Sequence, residues 1–232
     1  MNLAVRIQHN QGKRDRWANL LFRVLMPEID PLADDVKVLG GDTLWQSCIN
    51  VLSSYEKKHT HVLVLQDDVL PCVDFIPAVK RIIEAYPDRA ITYFSTREAI
   101  DEAIVKNLNY VEQKYFFMAQ CYSMPVAMIK DFLQFNYLSV KDSVKMDDER
   151  IGTYLFMRGL KAIATAPSLV EHLGWNGTTL DYKYKKSTFD PRLRMARQYI
   201  GFEQSALNID WSIKDTIIDN EGDYSMFNSN LK

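Results

Sequence analysis

Cysteine is scarce in this chain. Cys48, Cys72 and Cys121 are the three among 232 residues, far apart, odd in number and without a CxxC pair. That excludes a disulfide framework and a cysteine-built structural zinc site, and fits a reducing cytoplasm. No G-x-x-x-x-G-K-[ST] stretch occurs, which excludes the P-loop as a motif, and no G-x-G-x-x-G follows a strand-like run, so ordinary dinucleotide binding has no support. There is no G-x-S-x-G nucleophile elbow. No apolar run approaches the ~20 residues of a bilayer span. The first residues lack a basic region followed by a long apolar stretch, so no signal peptide is expected. A large excess of one charge is also missing: the formal net charge is -2, which argues against a bulk nucleic-acid binder. Internal repeats and low-complexity segments are absent as well.

What remains is ordinary globular composition, 47% hydrophobic and 25% charged, with enough length for a sizeable core. The informative stretch is Val62-Leu63-Val64-Leu65-Gln66-Asp67-Asp68-Val69. A short, continuous apolar run reads as a strand buried on both faces, as inside a parallel sheet. Two adjacent aspartates cannot sit in that core unpaired, so the chain leaves the sheet at Gln66. Asp67 and Asp68 then stand at the carboxyl end of a central strand, where open α/β sheets bind ligands. Two hard carboxylates there suit a divalent cation and, through it, a phosphate. Read alone, the same residues also describe a strand followed by a solvated acidic turn.

Around this stretch the pattern alternates between strand and helix. Leu3 to Ile7 reads as a strand, a polar loop with Lys13, Arg14 and Arg16 follows, and Trp17, Leu20, Leu21, Val24 and Leu25 recur at helical spacing. The loop shares a sheet edge with Asp67 and Asp68 if the strands are parallel, which would let its basic residues meet a diphosphate. A second strand ends at Gly40-Gly41, and Asp42 or Thr43 caps the next helix. Trp45 in that helix's first turn fills core unless the glycines line a cleft, in which case it belongs to the nucleotide site. Residues 90–94 form a further strand, 95–106 read as surface, and the aromatic run ending at Tyr122 reads as one strand or a hairpin arm. Met146-Asp147-Asp148-Glu149 opens a helix, with Asp147 as a plausible N-cap and the acids suiting the helix dipole. His172 follows a later strand. Beyond it Tyr182, Lys183, Tyr184, Lys185, Lys186, Arg192, Arg194 and Arg197 make a basic, tyrosine-interleaved run, and residues 205–232 read as a polar tail with short ordered pieces.

This order resembles the GT-A class of nucleotide-sugar glycosyltransferases. Gln66-Asp67-Asp68 stands where that class has Asp-x-Asp, Asp147-Asp148-Glu149 opens a late helix, and residues 167–174 resemble the loop that supplies a histidine to the metal. The resemblance implies an α/β fold with a Rossmann-like mixed sheet flanked by helices. It implies a catalytic domain over 1–177 and a basic C-terminal extension over 178–232, packed on the same domain. It implies Mn2+ or Mg2+ held by Asp68 and His172, and a nucleotide-sugar, UDP-linked or related, contacted by Gln8, Arg14, Trp45, Gln66 and Asp67. Asp148 is then the general base if the anomeric carbon is inverted, with Glu149 as its substitute. Gln66 departs from the class by replacing the first acid with a neutral amide. Small enzymes of the class from bacteriophages glycosylate modified bases, which implies DNA as one acceptor and the host cytoplasm as the location; a polysaccharide or lipopolysaccharide is the rival. A nucleotidyltransferase and a non-catalytic α/β binding module are the competing readings.

Overall fold

The protein is described here by a computed structural model covering residues 1–10, 12, 14–116, 118–173, 195–222 and 225–232. Its centre is an eight-stranded mixed sheet. The strands are β1 (Leu3–His9), β2 (Asp35–Gly40), β3 (His61–Gln66), β5 (Ile91–Thr92), β6 (Tyr110–Gln113), β7 (Cys121–Pro125), β8 (Ala162–Thr165) and β10 (Thr216–Asp219), in the order β10-β6-β8-β5-β7-β3-β1-β2. A separate ribbon pairs β4 (Val69–Pro71) with β9 (Val170–His172). The mixed α/β sheet flanked by helices is the architecture that the resemblance implied.

β3 lies between β1, to which it is parallel, and β7, to which it is antiparallel. Helices cover both of its faces, and that is why it reads as an unbroken apolar run. On one face Leu63 and Leu65 join α1 (Asp15–Leu25) and α3 (Phe75–Ala85) in a core cluster. On the other, Val62 and Val64 pack with α2 (Leu44–Ser53), α5 (Val126–Ser139) and α6 (Asp147–Met157). α2 starts where capping chemistry places it, with the Thr43 side chain accepting from the Gln46 amide. Gly41 sits so close to this helix that a Cβ would lie 2.6 Å from the Ser47 nitrogen.

Three expectations need correction. The aromatic run ending at Tyr122 is not a hairpin arm: β6 and β7 are separated in the sheet by β8 and β5. Between them the chain leaves the sheet, and Tyr115 stacks on Phe227 while Phe116 packs edge-on against Tyr122. The surface stretch 95–106 contains α4 (Ala99–Val105), whose Ile100 and Ala103 pack with β6 and β8. Residues 205–232 are more than a polar tail. They supply edge strand β10, the short helix α7 (Ser225–Ser229), and the buried side chains of Trp211 and Phe227. Among the described residues no helix is long and apolar enough to cross a membrane.

Candidate active site

The site forms at the carboxyl ends of β1 and β3. The Gln66 amide still bonds the Gln120 carbonyl at 2.8 Å, so β3 stays in the sheet to that point. The Asp67 amide then reaches across to the Gln8 carbonyl at 3.1 Å. The Asp67 carboxylate gathers the loop after β1: it accepts from the Asn10 amide at 2.9 Å, pairs with His9 Nδ1 at 2.9 Å and with Arg14 Nη1 at 3.1 Å. His9 in turn holds Asp15, which also accepts from the Gly12 amide at 3.0 Å. Asp67 is thus engaged in shaping the loop, where the resemblance implied a direct contact with the nucleotide. Arg14 is likewise committed to the two aspartates, one of which it meets very closely at Asp68 Oδ2.

Asp68 and His172 are 104 residues apart in sequence, yet His172 Nε2 lies 3.1 Å from Asp68 Oδ2. The β4–β9 ribbon brings them together. Val69 pairs with His172, and the Leu173 amide donates to the Asp68 carbonyl at 2.7 Å. The imidazole also packs edge-on against Phe94, with ring centroids 6.0 Å apart. Both side chains are buried. Burial pushes the Asp68 carboxyl up, but hydrogen bonding to His172 and the charge of Arg14 outweigh it and hold the group below the ordinary carboxylate value. Burial opposes the charge on Arg14 too, and the two aspartates more than restore it. Asp68 Oδ1 is buried with no hydrogen-bond partner among the described residues. A buried ionised oxygen in that condition is costly unless a ligand meets it. No group of three or more His, Cys, Asp or Glu side chains forms a complete cage among the described residues. Asp68 and His172 therefore offer one oxygen and one nitrogen ligand, a partial set of the kind completed by substrate phosphates and water. The residues fit a divalent cation.

The third component is the start of α6. Its N-cap is Met146, not Asp147, and Met146 supplies no side-chain acceptor. The first amides turn instead to the acids: Asp148 donates to Asp147 Oδ1 and Glu149 to Asp148 Oδ1, each at 2.9 Å. Gln8 Nε2 at the end of β1 donates to Asp147 Oδ2 at 3.3 Å, tying this helix to the strand beside Asp67. Burial pushes Asp147 up to about 7, and the neighbouring Asp148 carboxylate adds to the shift. Burial raises Asp148 as well, partly offset by the Glu149 and Met118 amides. Burial and the Asp148 charge raise Glu149. Met118, whose φ of 71° is left-handed, donates its amide to Asp148 Oδ2 at 3.3 Å.

No protein-family model matches the chain, and no curated protein matches it. Among solved structures it is similar to the catalytic domain of Drosophila β-1,4-galactosyltransferase 7 in complex with xylobiose, at 13% identity and a TM-score of 0.48, covering 90% of this chain and 84% of that one. It is also similar to a mutant of the same galactosyltransferase in complex with manganese, UDP-Gal and xylobiose, at 12% identity and a TM-score of 0.44, covering 89% of this chain and 83% of that one.

Of the residues singled out in the sequence, Gln8, Arg14, Asp67, Asp68 and His172 are joined by direct contacts or through one another, and Gln8 carries the link on to Asp147 and its neighbour Asp148. Gln66 lies opposite Gln8 in the parallel ladder. Trp45 stands apart from this chain of contacts: it packs edge-on against Phe132 at 6.0 Å and beneath the Arg150 guanidinium at 4.3 Å, which is the core-filling arrangement. Most of the basic run falls in 174–194, outside the described residues; Arg197 is described and pairs with Asp101. Sequence reasoning missed His9, whose position at the end of a strand opposite an acidic pair is its only signal, and it read Asp147 as a mere cap.

Proposed function

We propose that the chain is a GT-A-type glycosyltransferase that moves a sugar from a nucleoside diphosphate donor to an acceptor hydroxyl with the help of Mn2+ or Mg2+. The observation that carries this reading is the meeting of Asp68 and His172 across the ribbon, with Asp68 Oδ1 left free to take a cation. When bound, that cation acts as a Lewis acid on the departing diphosphate. The protein's own part is to hold charge and position. Arg14 keeps a fixed positive charge at the strand end and helps keep Asp68 ionised. Asp67 fixes the loop that carries Arg14. Asp148 is the general base that takes the acceptor proton: it is only partly buried, and burial raises its affinity for protons above that of an ordinary carboxylate, which suits it to that task. Glu149, one residue on, is the substitute.

The acceptor is a hydroxyl on a glycan or on a modified base in DNA. Protein expressed with its donor, followed by mass spectrometry of cell-envelope glycans and of DNA, separates the two. The reading itself is tested by thermal-shift titration with UDP-, GDP- and CDP-sugars, with and without Mn2+. A ligand at 100 times its Kd stabilises the native state by about 2.7 kcal/mol. Stabilisation by a nucleotide-sugar that needs Mn2+ is expected. Stabilisation by nucleoside triphosphates alone would point to a nucleotidyltransferase, and indifference to every nucleotide to a binding module.

A further inference from the structure

Three glutamines stand side by side at the carboxyl edge of the sheet. Gln8 pairs with Gln66 in the parallel ladder of β1 and β3. The Leu65–Cys121 register places Gln66 opposite Gln120 at the start of β7, and the Gln66 amide donates to the Gln120 carbonyl at 2.8 Å. Residues opposite one another in a ladder share a face, and faces alternate along each strand. Val64 and Tyr122 lie on the face covered by α2, α5 and α6, so Gln66 and Gln120, two residues away, share it with Gln8. The Gln8 bond to Asp147 confirms the direction.

Two of these amides are unusual. Gln8 is 5% exposed and Gln120 8% exposed, yet Oε1 of each is buried with no partner among the described residues. A buried amide oxygen without a donor is destabilising, and native structures keep few of them without a reason. The Gln8 assignment follows from its bond, since the nitrogen faces a carboxylate and the oxygen must point elsewhere. What would satisfy such a row is a ligand that brings several hydrogen-bond donors. The surroundings narrow it further. Asp147 and Asp148 lie beside the row on one side, and Asp67 and Asp68 follow directly from Gln66 on the other. A negatively charged group would meet acceptors and carboxylates there.

We propose that Gln8, Gln66 and Gln120 form an amide shelf that binds hydroxyl groups of the transferred sugar and restricts the donor to neutral sugars, with Gln120 setting that preference. The proposal rests on the glycosyltransferase reading, because Gln66 leads through Asp67 to the cation ligand Asp68 and Gln8 bonds Asp147, the neighbour of the proposed base Asp148, so the row borders both groups that the transferred sugar must meet. It accounts for the neutral Gln66 in place of an acid: an amide both accepts from and donates to hydroxyls, and it adds no further charge to a crowded acidic edge.

The test compares Kd values by calorimetry, with Mn2+ present, for UDP, UDP-glucose, UDP-galactose, UDP-N-acetylglucosamine and UDP-glucuronic acid, and for GDP and GDP-mannose. The variants are Gln120→Met, which keeps the volume, and Gln120→Asn, which withdraws the amide by one methylene. In the wild-type protein at least one neutral sugar should tighten binding over its bare diphosphate, and glucuronic acid should not. Both variants should lose about two- to tenfold of that gain, the worth of one hydrogen bond. Affinity for the bare diphosphate should stay unchanged, which also shows that the variant is folded. The proposal is overturned if the sugar-dependent gain survives both substitutions, if bare diphosphate and nucleotide-sugar weaken equally, or if UDP-glucuronic acid binds tighter than the neutral donors. A wild-type protein that binds none of these nucleotides overturns the glycosyltransferase reading, and the shelf falls with it.

Discussion

Replacing Asp147 by Asn should change how stability depends on pH. Asp147 is 2% exposed, and burial beside Asp148 raises its pKa from 3.8 to about 7. The folded protein therefore holds a proton at this position that the unfolded chain has released. Between 3.8 and about 7 the native state binds more protons than the unfolded one, so stability falls as pH rises and the loss levels off above about 7. From pH ~5.5 to ~8 the group traverses roughly 1.5 units below its folded value, which is about 2 kcal/mol lost from the wild type. Asn has the same shape, can still accept from Gln8 and cannot titrate. Its own hydrogen-bonding differences, such as a poorer acceptor for the Asp148 amide, are the same at both pH values. The quantity to measure is therefore the difference of differences: unfolding free energy by urea at pH 5.5 and pH 8.0, for wild type and Asp147→Asn. The variant should lose about 2 kcal/mol less over that interval, whatever its absolute stability. Parallel pH curves for the two proteins would show that Asp147 is an ordinary ionised carboxylate, and the electrostatics argued for the start of α6 would be wrong.

Other substitutions probe separate parts of the molecule. Asp68→Asn should abolish the Mn2+-dependent part of nucleotide-sugar stabilisation in a thermal-shift assay while leaving the protein folded; Asp148→Asn should retain donor binding and lose transfer to acceptor, so identical behaviour of the two variants would dissolve the division of labour between them. Gly152→Ala places a Cβ 2.9 Å from the Phe227 ring and 3.1 Å from the Phe116 carbonyl, so α7 must shift. The expected cost is about 1–3 kcal/mol, with faster hydrogen exchange in residues 225–229; unchanged exchange there would mean α7 is not docked as described. Trp211 is 1% exposed and its Nε1–H donates to the Ala206 carbonyl at 2.8 Å, while its main-chain carbonyl, which alanine would keep, accepts from the Tyr110 hydroxyl at 2.6 Å. Trp211→Ala should cost about 3–5 kcal/mol in urea unfolding, in a single transition; a loss below about 1 kcal/mol would separate the C-terminal segment from the main core.

The features legible in the sequence are those that one strand or one helix decides by itself. β3 announced itself because burial on both faces demands an apolar run, and the two aspartates marked its end because they cannot continue it. The cap of α2, at Asp42 or Thr43, was readable for a similar reason, and Thr43 is the residue that supplies it. The misreadings are non-local. Whether β6 and β7 pair depends on β5 and β8 arriving from elsewhere to lie between them. Trp211 and Phe227 sit in polar segments whose periodicity is too short to register, and only their burial against a distant sheet gives them meaning. Asp147 carries the pattern of a helix cap and does meet a helix amide; its raised proton affinity comes from burial in the enclosing core and from the Asp148 charge, and outweighs the opposing hydrogen bond from Gln8, 139 residues away. Gln120 looks like one polar residue in an aromatic stretch until the ladder sets it beside Gln66.

The acids of the site fall into two groups, and their environments drive them in opposite directions. Asp68 sits against His172 and Arg14 and stays ionised despite its burial. Asp147 and Asp148 sit at a helix start whose amides they share, and burial outweighs the amides, so both hold protons more readily. Carboxyl groups separated in this way are suited to different tasks in one reaction, a permanent charge on one side and a proton acceptor on the other. Gln8 spans the two groups: its backbone carbonyl takes the Asp67 amide, and its side chain donates to Asp147. A change in the position of β1 would therefore shift the turn at Asp67 and the start of α6 together, since the strand is hydrogen-bonded to both.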